Sequence, residues 1–206
     1  MKTVVSCFAV AVTVATIGFS AAAAQQAAAP EETAKPKAAK GPAKHKPPTH
    51  KEATAEAGAT PTLLGQYGDW GAYWAPSGAN KVCFVLAKPA ATQTTPPNRP
   101  RNPIYFFVAS RPAENVRNEV SVMIGYPFKS GADAMVEVGT AKFAMNTQSD
   151  GAWIKNVAEE ARLIEIMRKG SELTVSGTSS KGTQSIDRYS LKGLGQALDR
   201  ASQECK

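Results

Sequence analysis

Apolar and polar positions alternate along much of the chain after about residue 63, and the period is that of strands. "NEVSVMIGY" sets Val120, Val122, Ile124 and Tyr126 on one face. "SELTVSGT" aligns Leu173 and Val175 opposite Glu172, Thr174 and Ser176. "MVEVGTAKFAM" offers two short alternating runs around Gly139-Thr140, which reads as a turn. "KVCFVLAK" and "IYFFVAS" are apolar on both faces, as central strands of a sandwich are. "GDWGAYW" adds an aromatic opening strand with Trp70 and Trp74 on one side, and "QSIDRYSL" reads as the last strand. The pattern predicts a mainly β, antiparallel sandwich-like domain of about eight strands. Strand-borne aromatics usually fill such a core, so Trp70, Trp74, Tyr105, Phe106, Phe107 and Trp153 are expected inside rather than on a ligand platform.

Two stretches switch to a helical period. In "NVAEEARLIEIMRKG", Asn156 is placed to cap the first turn, with Glu159 three residues on. Val157, Ala161 and Ile164 are expected along the buried side, widened by Leu163 and Met167. In "GLGQALDRASQEC", Leu194, Leu198, Ala201 and Cys205 recur every four, three and four residues, one stripe at about 100° per residue. The fold class therefore carries two α-helices, one of them C-terminal.

Between Lys88 and Ile104 runs "PAATQTTPPNRPRNP". So many prolines exclude a central strand and predict a long exposed loop. Pro96, Pro97, Arg99, Pro100 and Arg101 make it a rigid, cationic candidate for partner contact. A tolerated insertion is the plain alternative.

The first residues have another character. Lys2, the apolar run Val4 to Phe19 and the small residues Ala22 to Ala24 have the form of a secretory signal over residues 1–24, with cleavage expected near Gln25. Residues 25–62 are rich in Ala, Pro and Lys and nearly free of large apolar side chains, which predicts a disordered linker before a domain at 63–206. Lys35, Lys37, Lys40, Lys44, Lys46 and Lys51 make this linker either a solvated spacer or an electrostatic tether to an anionic envelope polymer or lipid head group. The chain carries +7 overall. Seventeen of its 24 Lys and Arg and 13 of its 17 Asp and Glu lie from Leu63 onward, leaving the domain at about +4, which is no nucleic-acid footprint. With the signal removed, no membrane span is expected.

Cysteine usage sharpens the compartment. After loss of Cys7 with the signal, Cys83 and Cys205 remain. Two cysteines in an exported chain usually pair, and the bond would pin the last helix to an early strand. A free, reactive thiol pair is the alternative.

"GDWGAYW", "KVCFVLAK" and the run from "GAWIKNVAEEARLIEIMRKG" through "YSLKGLGQALDRASQEC" resemble the invasion-associated locus B family over most of Gly65 to Cys205. The resemblance implies a small exported bacterial β-rich domain that is periplasmic, outer-membrane-associated or secreted. The family's name links it to host-cell invasion. No catalytic residues come with it.

The residues themselves argue in the same direction. His45 and His50 are the only histidines, and both precede the domain. That removes histidine-dependent nucleophile systems and imidazole ligands from the domain. Asp69, Asp133, Asp150 and Asp187 show no spacing that singles out an acid–base pair. Gly193 and Gly195 fit a helix-entry turn better than a phosphate loop. No metal, cofactor or catalytic residue is expected. The partner would be an unidentified protein, an envelope polymer or a host-cell surface. Two non-catalytic readings follow, an envelope or cell-surface interaction protein or a periplasmic structural or inhibitory domain tethered by its basic tail; an enzyme with a histidine-free site is the third class.

Overall fold

The computed structural model describes residues 60–206. The signal-like segment, the six candidate tether lysines and both histidines lie outside the described residues. Eleven strands form a single antiparallel sheet: β1 (Thr62–Tyr67), β2 (Trp70–Ser77), β3 (Asn80–Ala87), β4 (Ala91–Thr95), β5 (Tyr105–Arg111), β6 (Val116–Met123), β7 (Ala134–Val138), β8 (Ala141–Gln148), β9 (Gly151–Ile154), β10 (Glu172–Thr178) and β11 (Gln184–Ser190). Their spatial order is β1-β2-β3-β5-β6-β9-β8-β7-β10-β11-β4. Helix α1 (Glu160–Lys169) sits on β6, and α2 (Leu194–Glu204) packs on β1, β2 and β3.

The architecture is β-rich with a C-terminal helix, as the periodicity implies, but the eight-strand sandwich becomes one curled sheet of eleven. Side chains from distant strands meet inside the curl. Trp70 in β2 lies edge-on to Phe106 in β5, with ring centroids 6.0 Å apart, and Phe106 lies edge-on to Tyr189 in β11 at 5.5 Å. The indole N–H of Trp70 donates to the Ser190 carbonyl at 2.9 Å. These three aromatics join the alternating residues Val120, Val122, Leu173 and Val175 in one continuous core.

The extra strands are short or weakly patterned. β4 falls inside the proline-rich stretch and pairs with β11 from Thr95↔Gln184 to Ala91↔Arg188. Its sequence, ATQTT, has no apolar alternation because it is an edge strand without a core-facing row.

Helix α2 buries Leu194, Ala197, Leu198 and Ala201, and Cys205 follows on the same side. A disulfide joins Cys205 to Cys83 of β3, with Cα atoms 5.9 Å apart. Nearby, the Lys81 ammonium donates to Glu204 at 2.9 Å, a second tie between strand and helix. The helix begins at Gly193, whose φ is +89°. The Tyr67 carbonyl lies where a Cβ would project, so any other residue there is excluded both by space and by backbone conformation.

Helix α1 departs from the expected phase. Asn156 does cap the segment, accepting from the Ala158 N–H at 3.2 Å, but residues Val157–Glu159 form a 3₁₀ turn and the α-helix starts at Glu160. The tighter winding rotates the face. Val157 and Ala161 are therefore exposed, and the buried row is Glu160, Leu163, Ile164 and Met167. Glu159 faces Arg162 at 3.8 Å on the surface.

Candidate functional site

The proline-rich segment forms one wall of a cleft of about 910 Å³. Thr92, Thr94 and Thr95 of β4, Asn98 and Arg99 of the loop, and Lys88 at the end of β3 line it. Its walls are held by backbone bonds: the Ala90 N–H donates to Arg188 O at 2.7 Å, and the Asn102 N–H to Gly125 O at 2.9 Å. At the tip, the Arg99 N–H donates to Thr94 Oγ1 at 3.2 Å. Pro96, Pro97, Arg99 and Pro100 are exposed.

Arg101 departs from the expected exposed loop. Its side chain is 6% exposed and runs inward to Asp187 of β11, which is fully buried. Both terminal nitrogens donate to the carboxylate, each at 2.7 Å, while Nε donates to the Ile124 carbonyl at 3.0 Å. The guanidinium also lies 5.0 Å from the centre of the Tyr126 ring, and the Tyr126 and Ser185 hydroxyls are 2.6 Å apart. Burial pushes the Asp187 carboxyl up, and its bonds to Arg101 pull it back. The Tyr189 hydroxyl is raised mainly by burial, with the Asp187 charge adding to it. These groups anchor the loop. They leave Arg99 as the loop's outward cation.

Lys88 and Arg99 have no carboxylate within ion-pair distance among the described residues. Lys88 lies 5.8 Å from the centre of the Tyr105 ring. Two unneutralised cations in a cleft of hydroxyls and amides can attract an anion and hydrogen-bond to its surroundings.

The second recess lies on the outer face of the sheet. It measures about 420 Å³ and is lined by Val82, Phe84, Phe107, Met123 and Trp153. The expected burial of aromatics holds for Trp70 and Phe106 alone. Trp74 is half-buried against the core, and Tyr105, Phe107 and Trp153 stand half-exposed on the outer face. The apolar pattern on both sides of β3 and β5 was therefore the mark of an aromatic outer surface rather than a second core. A local signal for it exists. In "GAY" and "GAW" the ring lies back over the glycine two residues before it: a Cβ on Gly71 would come 2.5 Å from the Tyr73 ring, and one on Gly151 would come 2.6 Å from the Trp153 ring.

At the far end of this recess Arg111 donates to Glu119 through both terminal nitrogens (3.1 and 2.9 Å) and to Glu114 through Nε at 3.0 Å. Glu160, on α1, accepts from the Val120 N–H at 3.0 Å. Burial raises this carboxyl to about 7, against the pull of that N–H; the Glu119 charge pushes it further and Arg111 opposes it.

The carboxylates with shifted protonation are thus bound into structural contacts. Asp69, Asp133, Asp150 and Asp187 are not assembled into a pair: Asp187 serves Arg101, and Asp133 pairs with Lys155 at 2.7 Å. No group of side chains suited to holding a metal occurs among the described residues. No helix among the described residues is long and apolar enough to cross a membrane.

No curated protein and no solved structure matches the chain. The model of one family, described as invasion associated locus B (IalB) protein, matches residues 75–202. The matched stretch runs from within β2 into α2 and covers the cleft and, apart from Pro61, the outer recess, while the "GDWGAYW" opening lies wholly before it. With well over half of its residues matched, the chain belongs to the invasion associated locus B family.

Proposed function

We propose that this protein is an exported, non-catalytic interaction protein of the bacterial envelope or cell surface, and that it engages anionic envelope groups through the cleft at the proline-rich loop. One observation carries the reading: Lys88 and Arg99 face the cleft without carboxylate partners among the described residues, on a frame held by the Arg101–Asp187 pair. The signal-like start and the disulfide support export. The basic tract preceding the domain supports the same preference for anions. Residues 60–206 contain no histidine, and the shifted carboxylates Glu160 and Asp187 are engaged by Val120 and Arg101, which supports a binding role over catalysis. Contact with a host cell is compatible with the family's description.

The test is co-sedimentation of the full mature chain with purified envelope fractions as salt is raised from about 0.05 M to about 0.5 M, where screening shortens to a few ångströms. Binding to anionic fractions that falls steeply with salt is expected. Equal binding to neutral and anionic fractions, insensitive to salt, would overturn the proposal.

A further inference from the structure

We infer that the anion taken at the cleft is the head of an acylated envelope lipid, whose chain lies along the outer faces of β3 and β5. The inference rests on the cleft reading above and names its ligand class.

The cleft and the outer recess share one row of side chains. Lys88, Leu86, Phe84 and Val82 alternate along the outer side of β3; Tyr105, Phe107, Ala109 and Arg111 do so along β5. The strand register sets Leu86 opposite Phe107 and Phe84 opposite Ala109. Contacts run without a break from the cleft. The Lys88 ammonium stands 5.8 Å from the Tyr105 ring, Tyr105 is 5.8 Å from Phe107, Phe107 is 6.3 Å from Phe84, and Phe84 stacks on Tyr73 at 5.4 Å. At about 3.4 Å per residue, the six-residue step from Lys88 to Val82 covers about 20 Å, the scale of a long acyl chain.

The row is polarised. Its cleft end holds Lys88 and Arg99. Its far end holds Glu114 and Glu119 around Arg111, while Asp150 lines the recess nearer the cleft, next to Gly151 opposite Met123. Between them the floor is low, with Ala75, Val82 and Ala109, and the walls are Phe84, Phe107 and Trp153. A ligand with one anionic end and an apolar body fits this sequence of charges in one direction only. An anionic polymer laid lengthwise would meet the acidic end, which opposes it. A contiguous, partly exposed aromatic surface also marks an apolar ligand or partner.

The experiment titrates the full mature chain calorimetrically with hexyl, octyl, decyl and dodecyl phosphate below their micelle-forming concentrations. Inorganic phosphate supplies the head alone, and decyl maltoside the chain with a neutral head. Affinity should rise about two- to four-fold per added methylene, the range for partial to full burial. Decyl phosphate should bind more tightly than either control. Phe107→Ser, and separately Phe84→Ser, should flatten the dependence on chain length while circular dichroism shows the fold retained. Both sites are half-exposed, and either variant suffices if the other fails to fold. Lys88→Glu with Arg99→Glu should weaken all the phosphates by a common factor and leave decyl maltoside unchanged. Phosphate binding that ignores chain length would overturn the acyl assignment and leave the cleft reading standing. A chain-length slope whose phosphate affinities ignore Lys88→Glu and Arg99→Glu would overturn the cleft reading and the head-group assignment with it. Loss of the row's accessibility through dimer formation would also overturn the inference, because a second copy would then be the occupant.

Discussion

Arg101 leaves an otherwise exposed proline-rich loop and closes a two-pronged ion pair with Asp187, 86 residues away in β11. One charge is carried inward by the loop, and the other sits where a strand's alternation calls for an apolar side chain. Each explains the other. Alone, a buried carboxylate at Asp187 would be costly.

Removing the arginine should therefore hurt far more than removing the pair. Arg101→Met is expected to lower stability by roughly 3–5 kcal/mol, since it strands the Asp187 charge. Arg101→Met with Asp187→Leu should recover much of that loss. Urea unfolding of the single and double variants measures both. A single variant as stable as the parent would show that the pair does not anchor the loop.

The Arg101–Asp187 pair also marks a limit of sequence reading. Proline spacing located the loop and its exposed residues Pro96, Pro97, Arg99 and Pro100, but no local signal tells an arginine that anchors inward from one that projects. The same holds for β4, which carries no core-facing row. Features set within a few residues were legible: the Leu194–Leu198–Ala201–Cys205 stripe, the Val120–Val122 alternation and the Asn156 cap are all found where the pattern put them. The phase of α1 was missed because a 3₁₀ turn rotated Val157 outward and Glu160 inward. The candidate site was half legible. Its loop and Arg99 were visible, but Lys88 joins it only through the pairing of β3 with β5 and of β11 with β4. Apolar residues on both sides of β3 and β5 were consistent with a second core, and only the tertiary arrangement shows one side facing solvent.

Glu160 should give the fold a pH dependence of uncommon sign. Its carboxyl is raised to about 7 in the folded protein from 4.5. Between those values the folded state holds a proton that the unfolded state has released, so stability falls as pH rises from about 4.5 through about 7, then levels off. The loss is about 1–3 kcal/mol. Glu160→Gln keeps an acceptor for the Val120 N–H and should be the more stable form at pH 8, with the slope gone. Denaturation midpoints across this range decide it; a slope unchanged in the variant would assign the effect elsewhere.

The Cys83–Cys205 bond spans 122 residues of sequence and holds the last turn of α2 against β3. Cys205→Ser should cost roughly 2–4 kcal/mol. Hydrogen exchange should rise first in Leu194–Glu204, because a helix of eleven residues is marginal without its docking contacts. Reductant should reproduce the change in the parent and add nothing in the variant. Uniformly accelerated exchange over all the strands would show instead that the bond supports the whole sheet.

Binding to one anionic envelope fraction, compared between the parent and the Lys88→Glu, Arg99→Glu double variant at low salt, tests the central claim most directly. Both side chains lie on the surface of the cleft, so the variant should fold as the parent does. The account predicts at least a ten-fold loss of affinity, on the order of 1.4 kcal/mol or more for the two reversed charges. An unchanged affinity in the folded variant would contradict it.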